Sequence, residues 1–296
     1  TPDLDHCGLV GWTVVSSPTT QNLEDVWGSG PNDVWAVGFS GTLLRRQTGP
    51  WLAVNMPIFS NLDAIWGSGP NNVWVTGGQG ELYHWDGSQW LEHPTPSNYY
   101  LNRLWGSGPN DIWGVGDAGT IIHFDGNQWT LVSEDGDLHF KDVWGSGPND
   151  VYVGGWWDSG VGELYGHLVH YDGQTWTELS PQPVGAIVNG LWGVSPNDIW
   201  AVGGGSALHH LTSNGWEGVS PPSPLGFPND SLYDVHGSAT DDVWAVGEFG
   251  EVLHWDGRWW AVLYRPTSLR INAVRATARA EAWAVAAGNT LAGAMA

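Results

Sequence analysis

Histidine and carboxylate side chains recur along this chain at regular intervals, the kind of pattern that metal ligation or acid–base catalysis would need. Five imidazoles, His84, His123, His170, His210 and His254, share one local context, with Arg45 and Gly293 at the corresponding places elsewhere. Nine acids recur as well: Asp33, Asp111, Asp150, Asp198 and Asp242 close one kind of turn, and Asp86, Asp125, Asp172 and Asp256 open another. Each copy belongs to its own repeat, so the imidazoles cannot converge on one ion. Copies of a single environment also fail to supply the unequal pKa values that an acid–base pair requires. The expected roles are structural: a histidine hydrogen-bonded to a neighbouring turn, and short carboxylates that hold turn amides. No hydrolase, zinc-protease or phosphate-loop pattern occurs. The chain is therefore read as a non-enzyme without catalytic residues, metal or cofactor.

The elements that carry these residues come from a repeat. WGSGPNDVWAVG at Trp27–Gly38 recurs five times with small changes, and an eroded seventh copy begins at Arg275. The anchors Trp27, Trp66, Trp105, Trp144, Trp192, His236 and Arg275 are 39, 39, 39, 48, 44 and 39 residues apart. Within a unit, Leu101–Trp105 and Ile112–Val115 read as strands A and B around a Gly-Ser-Gly-Pro-Asn-Asp turn. Thr120–Phe124 and Trp129–Val132 read as strands C and D around a tight Asp-Gly turn. Four short antiparallel strands per unit with no helix describe a β-propeller blade.

The expectation is an all-β, seven-bladed propeller forming one domain over residues 1–296, with blades starting near 22, 61, 100, 139, 187, 231 and 270. The last unit stops after its third strand. Residues 10–17, with Gly-Trp-Thr-Val-Val-Ser at their centre, match the D pattern and are expected to complete it, removing an exposed edge. Eighteen of the 23 Trp fall at repeat-equivalent positions, as core or inter-blade packing requires.

Composition narrows the function classes. Nine Lys plus Arg against 31 Asp plus Glu give a net charge of −22, which argues against nucleic acid as a partner. The single Cys7 rules out an intrachain disulfide framework. No apolar run is long enough to span a bilayer, so membrane insertion is not expected. One Lys, high acidity and abundant Trp, Gly, Asn and Thr point to a secreted or cell-surface protein.

The segment Gly119–Trp129, like its counterparts ending at Trp90, Trp176 and Trp260, resembles the G-x-L-x-H-x-x-G-x-W repeats of secreted bacterial seven-bladed lectins of the tectonin and fucose-binding propeller type. The turn Asp172–Trp176 is also similar to a shortened Asp-box of sialidase-like propellers. The resemblance covers all seven units and implies a lectin-like recognition module.

Binding is expected where the repeat varies, on the face formed by the D–A and B–C loops. Blade four carries nine extra residues between B and C, within Trp156–Tyr165, and blade five has extra residues around Pro224–Asn229 in the loop before strand A of blade six. The ligand-contacting candidates are Trp156, Trp157, Asp158, Tyr165, Tyr99, Tyr100, His139 and Phe249, among a wider aromatic set that includes Phe59 and Phe227. Flat rings beside polar groups suit stacking on sugars, and the same surface suits a protein partner. Glycan binding is the first expectation and a protein-interaction scaffold the alternative. Adjacent Trp156 and Trp157 should point to opposite sides, one anchoring the insertion and one exposed. A second ring lies near the start of the A strands: Glu24, Asp63, Asn102, Lys141, Asn189, Tyr233 and Asn272, followed by Asp25, Ala64, Arg103, Asp142, Gly190, Asp234 and Ala273. It is expected to line a water-filled channel.

Overall fold

A computed structural model describes residues 11–56, 58, 60–160, 163–179, 187–220, 230–264, 267–288 and 290–294. These form seven four-stranded antiparallel sheets, each ordered A-B-C-D from the axis outward. Strand A of blade one is Leu23–Gly30, and its counterparts are Leu62–Gly69, Leu101–Gly108, Leu138–Gly147, Val188–Ser195, Leu232–Ala239 and Ile271–Ala278. The seventh sheet takes its outer strand from the other end of the chain. Trp12–Val15 pairs with Thr290–Ala294, Trp12 lying opposite Ala294 and Val15 opposite Leu291.

Burial follows the layer order. The B strands are flanked by neighbouring blades on both faces, so Val34-Trp35-Ala36-Val37 is apolar without alternation and fully buried. Outer strands such as Leu52–Ala53 face solvent. Tryptophan joins the blades. The B-strand indole of one blade meets the D-strand indole of the next edge to face at six of the seven interfaces, with centroids 5.0–5.8 Å apart: Trp35–Trp90, Trp74–Trp129, Trp113–Trp176, Trp200–Trp260, Trp244–Trp12 and Trp283–Trp51. Blade four carries Tyr152 at this B position. Such pairs add about 0.5–1.5 kcal/mol each beyond their burial.

The A-strand indoles make a second joint. Trp27 lies against Gly67 of the next blade, where a Cβ would come within 2.8 Å of the ring, and Trp66 meets Gly106 in the same way at 2.7 Å. Where the anchor is the smaller His236, the partner position holds Ala276, whose N–H donates to His236 Nδ1 at 3.3 Å.

One side-chain-to-backbone hydrogen bond staples each of the seven interfaces. Asp25, Asp142 and Asp234 accept from the N–H groups of Ile65, Leu191 and Val274 at 2.9, 2.7 and 2.8 Å. Asn102, Asn189 and Asn272 donate to the carbonyls of Phe140, Leu232 and Leu23 at 2.8, 2.8 and 2.7 Å. Thr76 Oγ1 donates to the Leu101 carbonyl at 2.9 Å and closes the remaining interface.

The recurrent histidines and acids belong to these blades. His84, His123, His170, His210 and His254 each place Nε2 2.6–2.8 Å from the Asn or Asp that opens strand B, and Arg45 does the same with Asp33 at 2.7 Å. Each imidazole also packs on the B-strand ring beside it, as His210 does on Trp200 at 3.9 Å. Asp86, Asp125, Asp172 and Asp256 accept turn amides, as expected. The acids opening strand B depart from that expectation. Asp111, Asp150 and Asp242 bind the histidine and a serine hydroxyl, for example Ser107 Oγ at 2.5 Å from Asp111, whereas Asp33 binds Arg45 and Ser29, and Asp198 binds His210, because the A–B turn aims them at strand C.

The blade-four insertion is not a loop. Strands B and C run on to Asp158 and from Leu164, paired as Trp156 with Gly166, Trp157 with Tyr165 and Asp158 with Leu164. The alternation of large side chains satisfies a longer ladder, and blade four projects beyond its neighbours as a hairpin. The extra residues 224–229 before blade six, with Phe227, lie outside the described residues, as does Phe59.

Candidate functional site

Both polar rings face the channel because every A strand carries a β-bulge at the same place. The register skips Glu24, Asp63, Asn102, Lys141, Asn189, Tyr233 and Asn272, leaving each without a partner on strand B. Without a bulge, consecutive side chains would point to opposite faces. The extra residue instead re-aims two consecutive side chains toward the axis.

The inner ring is not water-filled at its centre. Arg103 reaches across it and meets Asp25 at 2.7 Å, Asp142 at 3.0 Å and Asp234 at 3.2 Å. Each carboxylate also accepts the N–H of the residue after it, Val26, Val143 or Val235, besides its staple to the next blade. Burial alone would lower the Arg103 pKa, but the three carboxylates hold it well above its ordinary value. Burial outweighs the guanidinium for Asp142 and Asp234, pushing them up to about 6 and about 7. Among the described residues no cluster of three or more His, Cys, Asp or Glu could hold a metal ion. The guanidinium supplies the positive charge that the ring of acids requires.

This hub divides the channel. Toward the A–B turns lies a cavity of about 610 Å³ walled by Trp27, Trp66, Trp105, Trp144 and Trp192, with His236 and Arg275 completing the circle. Burial lowers Arg275 to about 10 and takes His236 well below its usual value, leaving that imidazole neutral.

Toward the variable face lies a smaller mouth of about 220 Å³, lined by the bulge residues together with Arg103 and Arg270. Most of its polar groups are engaged. Arg270 Nε donates to Asn272 Oδ1 at 2.6 Å and its guanidinium lies 5.0 Å from the Tyr233 ring, whose hydroxyl donates to Glu248 at 2.5 Å. Lys141 Nζ sits 4.8 Å from the Trp156 ring. Glu24 and Asp63 differ: each has a buried oxygen without a hydrogen-bond partner among the described residues. Burial, and then the nearby Glu24 charge, push Asp63 up to about 7, and burial likewise raises Glu24. Burial lowers Lys141 against the pull of Asp117 and Asp63.

Lys141 links the mouth to the projecting hairpin. Trp156 turns inward, stacked on His139 at 5.2 Å, and His139 Nδ1 lies 3.5 Å from Asp117. Trp157 turns outward, 41% exposed, and stacks on Tyr165 at 5.8 Å. Asp158 is used locally, accepting the Gly160 N–H at 2.8 Å in the turn. Tyr99 and Tyr100 are exposed before strand A of blade three, and Phe249 is exposed on blade six. The eight candidates thus split into an inward pair of His139 and Trp156, an outward pair of Trp157 and Tyr165, a turn residue and three dispersed rings. Arg270 is missing from the residues that sequence reasoning singles out. Its signal is position, two residues before the Asn272 bulge in a chain with only nine Lys plus Arg.

No protein-family model and no curated protein matches the chain. Solved structures do. YCF48 bound to a D1 peptide superposes with a TM-score of 0.75 at 14% identity, covering 96% of this chain and 97% of that one. The WD40 propeller domain of Doa1 gives 0.74 at 12% identity, with 96% of each chain covered. Streptogramin B lyase gives 0.75 at 12%, again with 96% of each chain covered. What they share is the propeller fold. A fold that serves a peptide binder and a lyase does not choose between such functions.

Proposed function

We propose that this chain is a non-enzymatic recognition module, exported or displayed at the cell surface, that receives a protein segment on its variable face, across the channel mouth and the blade-four hairpin. The observation that carries this reading is the continuity of the mouth with an aromatic rim. Lys141 belongs to both, packing on Trp156 while lining the 220 Å³ mouth, so one extended segment can touch the polar cavity and the projecting rings together. Exposed Trp and Tyr are favoured anchors in protein interfaces. YCF48, of like fold, has been solved with a peptide bound.

A glycan is the second reading, and the exposed Trp157–Tyr165 stack favours it, since a sugar ring can lie on such a surface. Parallel peptide and glycan arrays probed with the labelled protein separate the two. The expected result is peptide hits, confirmed by calorimetry, that weaken roughly tenfold in Trp157→Ala, about the 1.4 kcal/mol of one aromatic contact. Glycan hits competed by free sugar, with no peptide hits, would replace the first reading by the second.

A further inference from the structure

Two A-strand arginines, Arg103 and Arg275, line the cavity on the A–B turn side of the hub, and they are surrounded by protein to the same degree. Arg103 meets three carboxylates. Arg275 closes no hydrogen bond or ion pair among the described residues, and its Nε is buried. The hub acids are spent elsewhere: both oxygens of Asp25, Asp142 and Asp234 are engaged by Arg103 and by backbone N–H groups. Burial therefore outweighs the pull of Asp25 and Asp234 at Arg275 and lowers it to about 10. A buried guanidinium without a counter-group is costly.

Its place in the repeat is a second, independent observation. Five blades put Trp at the strand A anchor, and the two that do not, with His236 and Arg275, are the adjacent blades six and seven. The cavity of about 610 Å³ thus has an indole wall and one polar sector. His236 is neutral and lies 5.6 Å from the Trp192 ring, so Arg275 carries the charge of that sector. We propose that this cavity binds a small organic acid, its single carboxylate paired with the Arg275 guanidinium and its apolar body against the indoles. The guanidinium fork matches a carboxylate, and a mostly apolar pocket of this size with a few polar groups is the usual form of a small-molecule site. The hub separates it from the variable face, so the inference does not depend on what binds there.

Other ligand classes fit less well. A cation caged by the rings would share the cavity with the unpaired charge of Arg275. A dianion such as phosphate would bring a second negative charge toward Asp25 and Asp234, whose field reaches Arg275. The net charge of −22 opposes any anion from a distance, but at about 0.15 M salt that field is screened beyond about 8 Å. Inside the cavity the unpaired guanidinium faces the ligand directly.

Calorimetry with the whole chain tests this with naphthoate, its neutral counterpart naphthamide, and acetate, which has the charge without the apolar body. Naphthoate should bind roughly tenfold more tightly than either. Arg275→Gln should weaken it to the level of naphthamide while melting no lower than the parent, because the variant removes a buried unpaired charge. Arg275→Lys keeps the charge and should keep naphthoate ahead of naphthamide. In the isotope-labelled parent, the arginine Nε–H resonance that is missing from the Arg275→Lys spectrum should shift on adding naphthoate, a readout that needs no Gln variant. Arg258→Gln, which takes the cation from the exposed Trp259 ring, should leave the affinity unchanged. Equal binding of acid and amide, unchanged naphthoate binding by Arg275→Gln, or an unmoved Arg275 resonance would overturn the inference. Binding lost in Arg258→Gln, or shown by none of the three probes, would overturn it as well.

Discussion

Glu24 and Asp25 are neighbours in sequence, and both point into the channel, yet they sit in opposite electrostatic conditions. Asp25 meets Arg103 at 2.7 Å and accepts the N–H groups of Val26 and Ile65, so both of its oxygens are engaged. Glu24 keeps a buried oxygen without a hydrogen-bond partner among the described residues, as Asp63 does in the next blade. The hub and the mouth are thus two charged rings one residue apart, one closed on itself and one open. A carboxylate with both oxygens engaged holds structure; one with a buried oxygen left over carries a desolvation cost instead. Substitutions at the two levels should therefore differ in sign.

The largest effect is expected at the hub. Arg103→Met removes the guanidinium that pairs directly with the buried Asp25, Asp142 and Asp234, and should cost about 3–5 kcal/mol in urea unfolding. The loss should shrink in acid, because protonating the acids removes the stranded charges. An unfolding midpoint unchanged at neutral pH would show that the hub contributes no stability.

A smaller loss is expected at the Trp joint. In Gly106→Ala the new methyl would meet the Trp66 ring at 2.7 Å and the Asp111 carbonyl at 2.5 Å. Overpacking of this kind costs about 1–3 kcal/mol, read as a lowered thermal midpoint. Ala276→Gly, opposite the smaller His236, should cost less than Gly106→Ala.

At the mouth the sign reverses. The folded-state pKa of Asp63 is about 7, above the ordinary carboxyl range. Its contribution to stability therefore declines as pH rises from about 4 toward 7, and the full cost is present at about pH 8. Asp63→Asn removes the charge and should stabilise the protein by about 1–2 kcal/mol at about pH 8, and by little at about pH 5. A destabilised variant at the higher pH would show that Asp63 is held by a stabilising partner, as the hub acids are.

The smallest effect belongs to the outward ring. Trp157→Ala should change stability by no more than about 0.5 kcal/mol, whereas Trp156→Ala gives up its stack on His139 and its Lys141 contact and should cost about 1 kcal/mol or more. Equal losses would mean that both rings pack.

The fold was legible because the repeat writes the same four strands each time. The Gly-Pro-Asn-Asp and Asp-Gly turns mark the hairpins, and Trp12-Thr-Val-Val carries the outer-strand pattern that completes the seventh sheet. The hairpin of blade four was less legible, since Trp156-Trp157-Asp158 continues a strand only when Leu164-Tyr165-Gly166 pairs with it. Both polar rings could be read as positions, but their division into a hub and a mouth could not. That division depends on a bulge that turns two consecutive residues inward, and on how far Arg103 reaches across the axis to acids from three other blades. Arg270 escaped notice because its partners, Asn272 and Tyr233, come from two different blades.

The meeting of each A-strand ring with its neighbour's glycine changes what counts as the inherited unit. Trp66 answers to Gly106, and His236 to Ala276, each pair separated by 40 positions in the chain. A blade copied or exchanged whole would carry its own ring and its own notch, but it would face a ring and a notch shaped by other histories. At the seam between blades six and seven the smaller ring goes with the larger notch, His236 with Ala276. The element passed on intact is the seam, and the blade is only the distance between two seams.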